Sequence, residues 1–290
     1  MKFLVTGANG QLGCCLVDRL SNSGHTFVAL TKSDLDITDE KAVEEQVVEC
    51  RPDVIVNAAA YTSVDRAESE PELARRINGE AVNHLVRAAN KVGALLIQVS
   101  TDYVFDGTSP EPYVESDAVN PLGVYGESKL LGEEYAARAD RFLVVRTAWV
   151  FSEYGNNFVK TMLKLGRKRK ELSIVSDQYG SPTYAGGLAA SLIRMSEAQL
   201  PSGIYHFSGG KSCSWFEFAT VIFNLVKASV PGYPVPGILP ITSEQYPTPA
   251  KRPAFSVLSD KKLKMAMDGD AAEWPDTLPD VIKQLLKSMK

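Results

Sequence analysis

At 290 residues, 44% hydrophobic and 23% charged, the chain can build one large or two modest domains around a substantial core. Its formal net charge of -4 and pI near 5.6 offer no general attraction to nucleic acid or to an anionic membrane, so neither is expected as a partner. No apolar run approaches the roughly 20 residues that span a bilayer, and Met1-Lys2 runs straight into Phe3-Leu4-Val5 without an export pattern, so a cytoplasmic protein is expected.

Lys2 to Thr6 predicts a short strand, followed by Gly7-Ala8-Asn9-Gly10-Gln11-Leu12-Gly13 and a helical pattern at Leu12, Leu16 and Leu20. Strand, glycine turn and helix in this order point to dinucleotide binding. The glycines allow a tight turn and close approach of a phosphate, and the helix start offers free N–H groups to it. Candidate cofactor contacts are Gly7, Asn9, Gly10, Gln11, Leu12 and Gly13. Cys14 and Cys15 within this helix, with Cys50 and Cys213, lack CxxC spacing or a histidine cluster; reduced thiols are expected, not a zinc site. His25, His84 and His206 are scattered and read as structural.

A second strand, Thr26 to Thr31, should end near the adenosine ribose, where a carboxylate would select NAD. Lys32 and Ser33 stand there instead and suit a 2′-phosphate, which favours NADPH; Asp34 and Asp36 keep NADH compatible. Asp36 and Ile37 are placed at the adenine, while Asp39 serves equally well as the cap of a helix beginning near Glu40. Asp53 to Asn57 reads as a buried strand that delivers the small residues Ala58, Ala59 and Ala60, then Thr62, to the cofactor. Glu72 to Val92 predicts a long helix ended by Gly93, with Asn78 and Asn83 as polar contacts or surface residues.

Ala94 to Val99 is a fourth strand, delivering Ser100-Thr101-Asp102-Tyr103 at its carboxyl end, where open parallel sheets bind ligands. A proline-bearing loop, Thr108 to Leu122, leads to a helix from Tyr125 to about Arg138. Tyr125 and Lys129 share one face of it, and an ammonium one turn away should draw the phenol pKa down from ~10 toward the working pH. Tyr125 is thus a candidate general acid or base; such pairs also arise by chance on exposed helices, so the context selects it. A strand at Arg141 to Val145 completes an alternation of strand and helix through residue 148. The expected fold is α/β, a Rossmann-type doubly wound parallel sheet in residues 1–149, with a smaller α/β substrate domain mainly in residues 150–290.

In that second part, Lys164 to Lys170 is a basic run, either a solvated helix end or a face toward a diphosphate. Helices are expected at Ala185 to Ser196, Ser214 to Lys227 and Leu278 to Met289, a strand at Gly203 to Phe207, and an ordered proline-rich excursion at Pro231 to Pro253.

Six fragments then converge: GANGQLG from Gly7, NAAAYTSVDRAE from Asn57, VSTDYVFDG from Val99, YGESK from Tyr125, RTAWVF from Arg146 and PTPAKRP from Pro247. Over nearly its whole length the chain resembles the extended short-chain dehydrogenase/reductases, and within them the dTDP-4-dehydrorhamnose reductase family. The resemblance implies reduction of the 4-keto group of dTDP-4-dehydro-6-deoxy-L-mannose with NADPH, giving dTDP-L-rhamnose. It implies that Tyr125 donates the proton, that Lys129 lowers the tyrosine pKa and holds the nicotinamide ribose, and that Thr101 bonds the reacting oxygen. Asp102, Tyr103 and Trp149 would line the sugar pocket, with Asn157 and Gln178 completing the candidate substrate set.

Some members bridge two subunits through a metal held by glutamates; Cys15 and Gly186 stand at those places, so no metal is expected, and a monomer or weak homodimer is. The resemblance also implies that the strand Gly203 to Phe207 rejoins the amino-terminal sheet. Two other readings stay open: another nucleotide-sugar epimerase, dehydratase or reductase of this class, and a non-catalytic NADP-binding regulatory subunit.

Overall fold

Strands form at Lys2–Thr6 (β1), Thr26–Leu30 (β2), Val54–Asn57 (β3), Leu95–Thr101 (β4) and Phe142–Thr147 (β5) in the computed structural model, which describes residues 1–267 and 273–288. All pair in parallel, and Gly203–His206 adds a sixth strand beside β5, so the sheet order is Gly203–His206, β5, β4, β3, β1, β2. Parallel strands covered on both faces read as continuous apolar runs, and alternate residues then serve opposite layers. Phe3, Val5, Val54, Val56, Ile97 and Val145 pack against the helices Gln11–Ser21 and Ala185–Glu197. Leu4, Ile55, Leu96 and Val144 pack against Glu40–Cys50, Ala81–Val92 and Val124–Ala136.

The direction of winding reverses between β1 and β3, and ligands of such sheets sit outside the carboxyl ends at that point. Two details there differ from the sequence reading. Strand β4 continues through Ser100 and Thr101, so Thr101 is held by the sheet and not by a loop. The long helix is interrupted: Pro71–Arg75 and Ala81–Val92 flank a π-turn at Arg76–Glu80. The turn carries Asn78, which is 1% exposed and so belongs to the interior.

A separate core joins the helices Phe158–Gly166, Trp215–Ser229 and Trp274–Ser288 through Leu163, Phe218, Ile222, Trp274, Leu278 and Ile282. The expected end of the last helix, Met289, lies outside the described residues. Beside this core Glu171–Val175 pairs in parallel with Gly237–Ile241, a strand within the proline-rich excursion. That pairing escaped the sequence reading because each strand is five residues long and its partner lies far away in the chain.

Candidate active site

The glycine loop is shaped by backbone contact. Gly7 adopts φ +65°, and a Cβ there would lie 2.7 Å from the Ala59 backbone; one at Gly13 would lie 2.2 Å from the Gly7 carbonyl oxygen. The loop closes when the Gly10 N–H donates to the Gly7 carbonyl at 3.0 Å. The helix that follows has no side-chain cap and no acidic residue in its first turn, which leaves its start open to an anion.

This loop forms one end of a cleft of about 420 Å³. Gly10, Gln11 and Leu12 line it from the loop, Ala58, Ala59, Ala60 and Thr62 from the segment after β3, and Tyr125 and Lys129 from the far wall. A buried hydrogen-bond chain stiffens its floor: Thr6 Oγ1 donates to Asn57 Oδ1 at 2.7 Å, and Asn57 Nδ2 to Gln98 Oε1 at 2.7 Å. Because these links tie β1, β3 and β4 at the ends where the cleft opens, the floor is set before any ligand arrives.

Asn78 holds the far wall. Its amide donates to the Tyr61 carbonyl and to Ser128 Oγ, both at 3.0 Å, and its Oδ1 accepts from the Tyr61 N–H at 2.8 Å. Ser128 lies one residue before Lys129, so the π-turn fixes the Val124–Ala136 helix against the alanine segment. Tyr125 shares a hydrogen bond with Thr101, and the Tyr103 ring meets it edge-on at 5.5 Å.

Burial pushes the Tyr125 phenol up to about 12, against the pull of the Thr101 hydrogen bond. That is the reverse of the expected direction. The Lys129 ammonium is 3% exposed, donates to the Val99 carbonyl at 2.6 Å and is drawn down to about 8 by burial, with Glu133 opposing. Helical spacing put lysine and tyrosine on one face, but burial, not their pairing, dominates both shifts.

Asp102 lies beneath the site, 2% exposed, its Oδ1 accepting from Thr101 Oγ1 at 3.0 Å. Burial pushes its carboxyl up to about 6. At the adenosine end Lys32 is exposed. Asp34 is turned back onto Thr31, accepting from its N–H and hydroxyl at 2.9 and 2.6 Å, and Asp36 likewise serves Thr38. Asp39 caps the Glu40–Cys50 helix through the Ala42 N–H. Ile37, placed at the adenine by the sequence reading, is 4% exposed and packs with Leu35 and Val43 in the core. Asn9 is exposed at the loop tip.

Of the remaining candidates Gln178 lines a second cavity of about 540 Å³, together with Phe158, Arg169, Trp215, Tyr246 and Arg252. Gln178 donates to Ser243 Oγ at 2.9 Å. Asn157 caps the helix Phe158–Gly166 and donates to Gln11 Oε1 at 2.9 Å, joining this cavity's wall to the glycine loop. Trp149, at φ +46°, stacks on Trp215 with centroids 3.4 Å apart, its edge over Gly180. Sequence reasoning missed Trp215, Tyr246 and Arg252 as site residues; only Arg252, inside PTPAKRP, carried a signal. Cys15 and Gly186 line a separate polar pocket with Asp18 and Glu153, and among the described residues no metal-holding cluster is present.

The family model described as the RmlD substrate binding domain matches residues 1–287. The dTDP-4-dehydrorhamnose reductase of Aggregatibacter actinomycetemcomitans is 42% identical over 287 residues, spanning 97% of this chain and 98% of that protein. Among solved structures, a dTDP-4-dehydrorhamnose reductase from Clostridium acetobutylicum gives a TM-score of 0.93 at 41% identity, covering 99% of this chain and 100% of that one. The dTDP-4-dehydrorhamnose reductase of Bacillus anthracis, solved in complex with NADP, gives 0.92 at 38% identity, covering 98% and 99%. A Thermus thermophilus UDP-glucose 4-epimerase, at 20% identity and a TM-score of 0.82 over 99% of both chains, shares the fold. With a family model over residues 1–287 and relatives near 40% identity along their full length, the chain belongs to the dTDP-4-dehydrorhamnose reductase family.

Proposed function

We infer that the chain reduces the 4-keto group of dTDP-4-dehydro-6-deoxy-L-mannose with NADPH, giving dTDP-L-rhamnose. The observation that carries this reading is Tyr125 and Lys129 on the wall of a cleft that begins at an uncapped helix start, with Thr101 bonded to Tyr125. NADPH, when bound, supplies the hydride that ends on the sugar's C4 carbon. The glycine loop and the start of the Gln11–Ser21 helix would hold its diphosphate, and the exposed Lys32 and Ser33 would meet the 2′-phosphate. Asp34 and Asp36 each commit one carboxylate oxygen to Thr31 and Thr38, which turns them toward their own loop.

Tyr125 gives its phenolic proton to the carbonyl oxygen, which becomes the new hydroxyl. A phenol raised to about 12 is fully protonated at neutral pH, the state a reduction requires. Thr101, fixed by β4, turns its one hydroxyl proton from Asp102 to the same oxygen as charge develops on it, and the Lys129 ammonium stabilises the phenolate left behind. The sugar nucleotide reaches this point from the second cavity, where Arg169 and Arg252 suit a diphosphate and Trp215 and Tyr246 suit a base. On this reading residues 1–149 mainly carry the cofactor and residues 150–290 the substrate, in a cytoplasmic monomer or weak homodimer. Sedimentation of the purified chain tests the last point.

Purified protein, NADPH and the dTDP-4-keto sugar should yield NADP and dTDP-L-rhamnose, identified by NMR. Recovery of unreduced keto sugar, or of a product with a different configuration at C4, would overturn the assignment.

A further inference from the structure

Tyr125, Lys129 and Glu133 follow one another at four-residue spacing on the Val124–Ala136 helix, so the three side chains lie along one stripe. Glu133 is 4% exposed, and carboxylates are almost never so deeply buried unless paired. Both of its oxygens are engaged. Ser100 Oγ donates to Oε1 at 2.5 Å, Arg146 Nε donates to Oε1 at 2.9 Å, and Arg146 Nη2 donates to Oε2 at 2.7 Å. Arg146 is itself 2% exposed, with its guanidinium 5.0 Å from the centre of the Phe105 ring. Behind it, His206 Nδ1 lies 3.1 Å from the Tyr113 carbonyl, which can only accept, so Nε2 is left to accept from Arg146 Nη1 at 3.5 Å.

A buried bidentate pair alone is a structural feature. Lys129 makes this one part of a larger group, because its side chain, 3% exposed, lies one helical turn from Glu133 on the same stripe. The charged and titratable groups around it divide cleanly. Its own helix supplies Tyr125 and Glu133; β5 supplies Arg146; the end of β4 supplies Asp102, which acts on Tyr125. The crossing helix supplies the neutral Asn78 through Ser128, and its Arg75 pairs with Glu127 on the exposed face. Burial and the Arg146 charge push His206 down to about 3, so it adds no charge there. Glu133 is the anion acting on Lys129.

We propose that Glu133 is a positioning residue for the reaction: clamped by Arg146 and Ser100 one helical turn from Lys129, it keeps that ammonium protonated. The inference rests on the reading that Tyr125 and Lys129 carry the proton transfer. Burial draws Lys129 to about 8 even with Glu133 opposing, so loss of the carboxylate takes it lower. The protonated lysine is then lost at a lower pH, and the alkaline limb of the rate profile moves toward acid.

The test is the pH dependence of kcat/KM, at saturating NADPH, in the parent, in Glu133→Gln and in Glu133→Gln/Arg146→Met. The single variant leaves the Arg146 charge buried without a partner and loses thermal stability; the double variant removes that charge and regains it. In the double variant we expect an alkaline limb lower by about one pH unit or more, with the rate recovering toward the parent value near pH 6. A double variant that melts like the parent and keeps its limb would show that Glu133 serves the fold alone. Where the double variant melts below the parent, the limb is read at a temperature well under its melt, and an unmoved limb there overturns the proposal equally. Tyr125→Phe, measured alongside, separates the two levels. Near-parent turnover there overturns the proton-transfer reading itself, whereas an inactive Tyr125→Phe with an unmoved limb overturns only the role of Glu133.

Discussion

Burial, more than the pairing of neighbours, sets the protonation of the candidate acid. Tyr125 at about 12 and Lys129 at about 8 are both protonated near neutrality, so the site waits with its proton loaded. Tyr125→Phe is expected to lower kcat by roughly 10²–10⁴-fold while NADPH affinity, read by nucleotide fluorescence, stays within a few-fold. Asp102 gives a second check through stability. Its folded pKa of about 6 lies above the ordinary 3.8, so the native state holds the proton more tightly than the unfolded chain. The resulting stabilisation is full below the unfolded value and is lost as pH rises through about 6. Asp102→Asn should therefore gain stability relative to the parent between pH 4 and pH 8, on the order of 2–3 kcal/mol. Equal differences in melting temperature at the two pH values would contradict it. The spacing of Tyr125 and Lys129 was legible in the sequence, but the direction of the tyrosine shift was not, because desolvation depends on residues far apart in the chain. The fate of Ile37 was legible in part. Leu35 and Ile37 flank the exposed Asp36 in an alternating pattern, and that pattern marks Ile37 as core.

At the scale of elements, the site depends on two helices crossing with their backbones in contact. A Cβ at Gly132 would lie 2.2 Å from the Asn78 carbonyl oxygen, and one at Gly79 would lie 2.5 Å from Leu131 Cδ2. The first neighbour is backbone within a π-turn and cannot step aside as a side chain can. Gly132→Ala should consequently cost about 1–3 kcal/mol as overpacking. It should also lower kcat by moving the Tyr125 helix away from Asn78, with thermal melts and steady-state rates as the measurements. An unchanged melting temperature and rate would mean that the crossing has slack. Periodicity gave the two helices, since Leu85 and Ala89 recur at helical spacing, but it gave no sign of the π-turn. One residue inserted into a helical pattern looks like ordinary variation until its partner, here Gly132, is seen across the crossing.

For the whole molecule, the question is how the second cavity stays in register with the cofactor cleft. The sequence showed the alternation that builds the sheet, because helical and strand periods succeed one another locally. It did not show the second cavity, whose walls come from Phe158, Glu171–Val175, Trp215 and Arg252, segments that only tertiary packing assembles. Arg252 ties these walls back to the segment after β3: its Nη2 donates to Asp65 Oδ2 at 2.9 Å, and its Nη1 bonds Thr248. Asp65 Oδ1 in turn accepts from the Ala250 N–H at 3.3 Å. Side chains of the pair are 23% and 41% exposed, and at such exposure an ion pair contributes at most about 1 kcal/mol to stability. Its value to the protein is therefore better sought in geometry, as a strut that sets a cation on the wall of the cavity that Trp215 also lines. Arg252→Ala should melt within a few degrees of the parent and bind NADPH unchanged. Its KM for the sugar nucleotide should rise by about tenfold or more, a loss of roughly 1.4 kcal/mol of binding. Arg252→Lys should recover little of that affinity, because a lysine cannot reproduce the fork that engages Asp65 and Thr248 together. A variant that loses NADPH affinity as much as sugar-nucleotide affinity would place Arg252 in the shared scaffold and remove it from the substrate site.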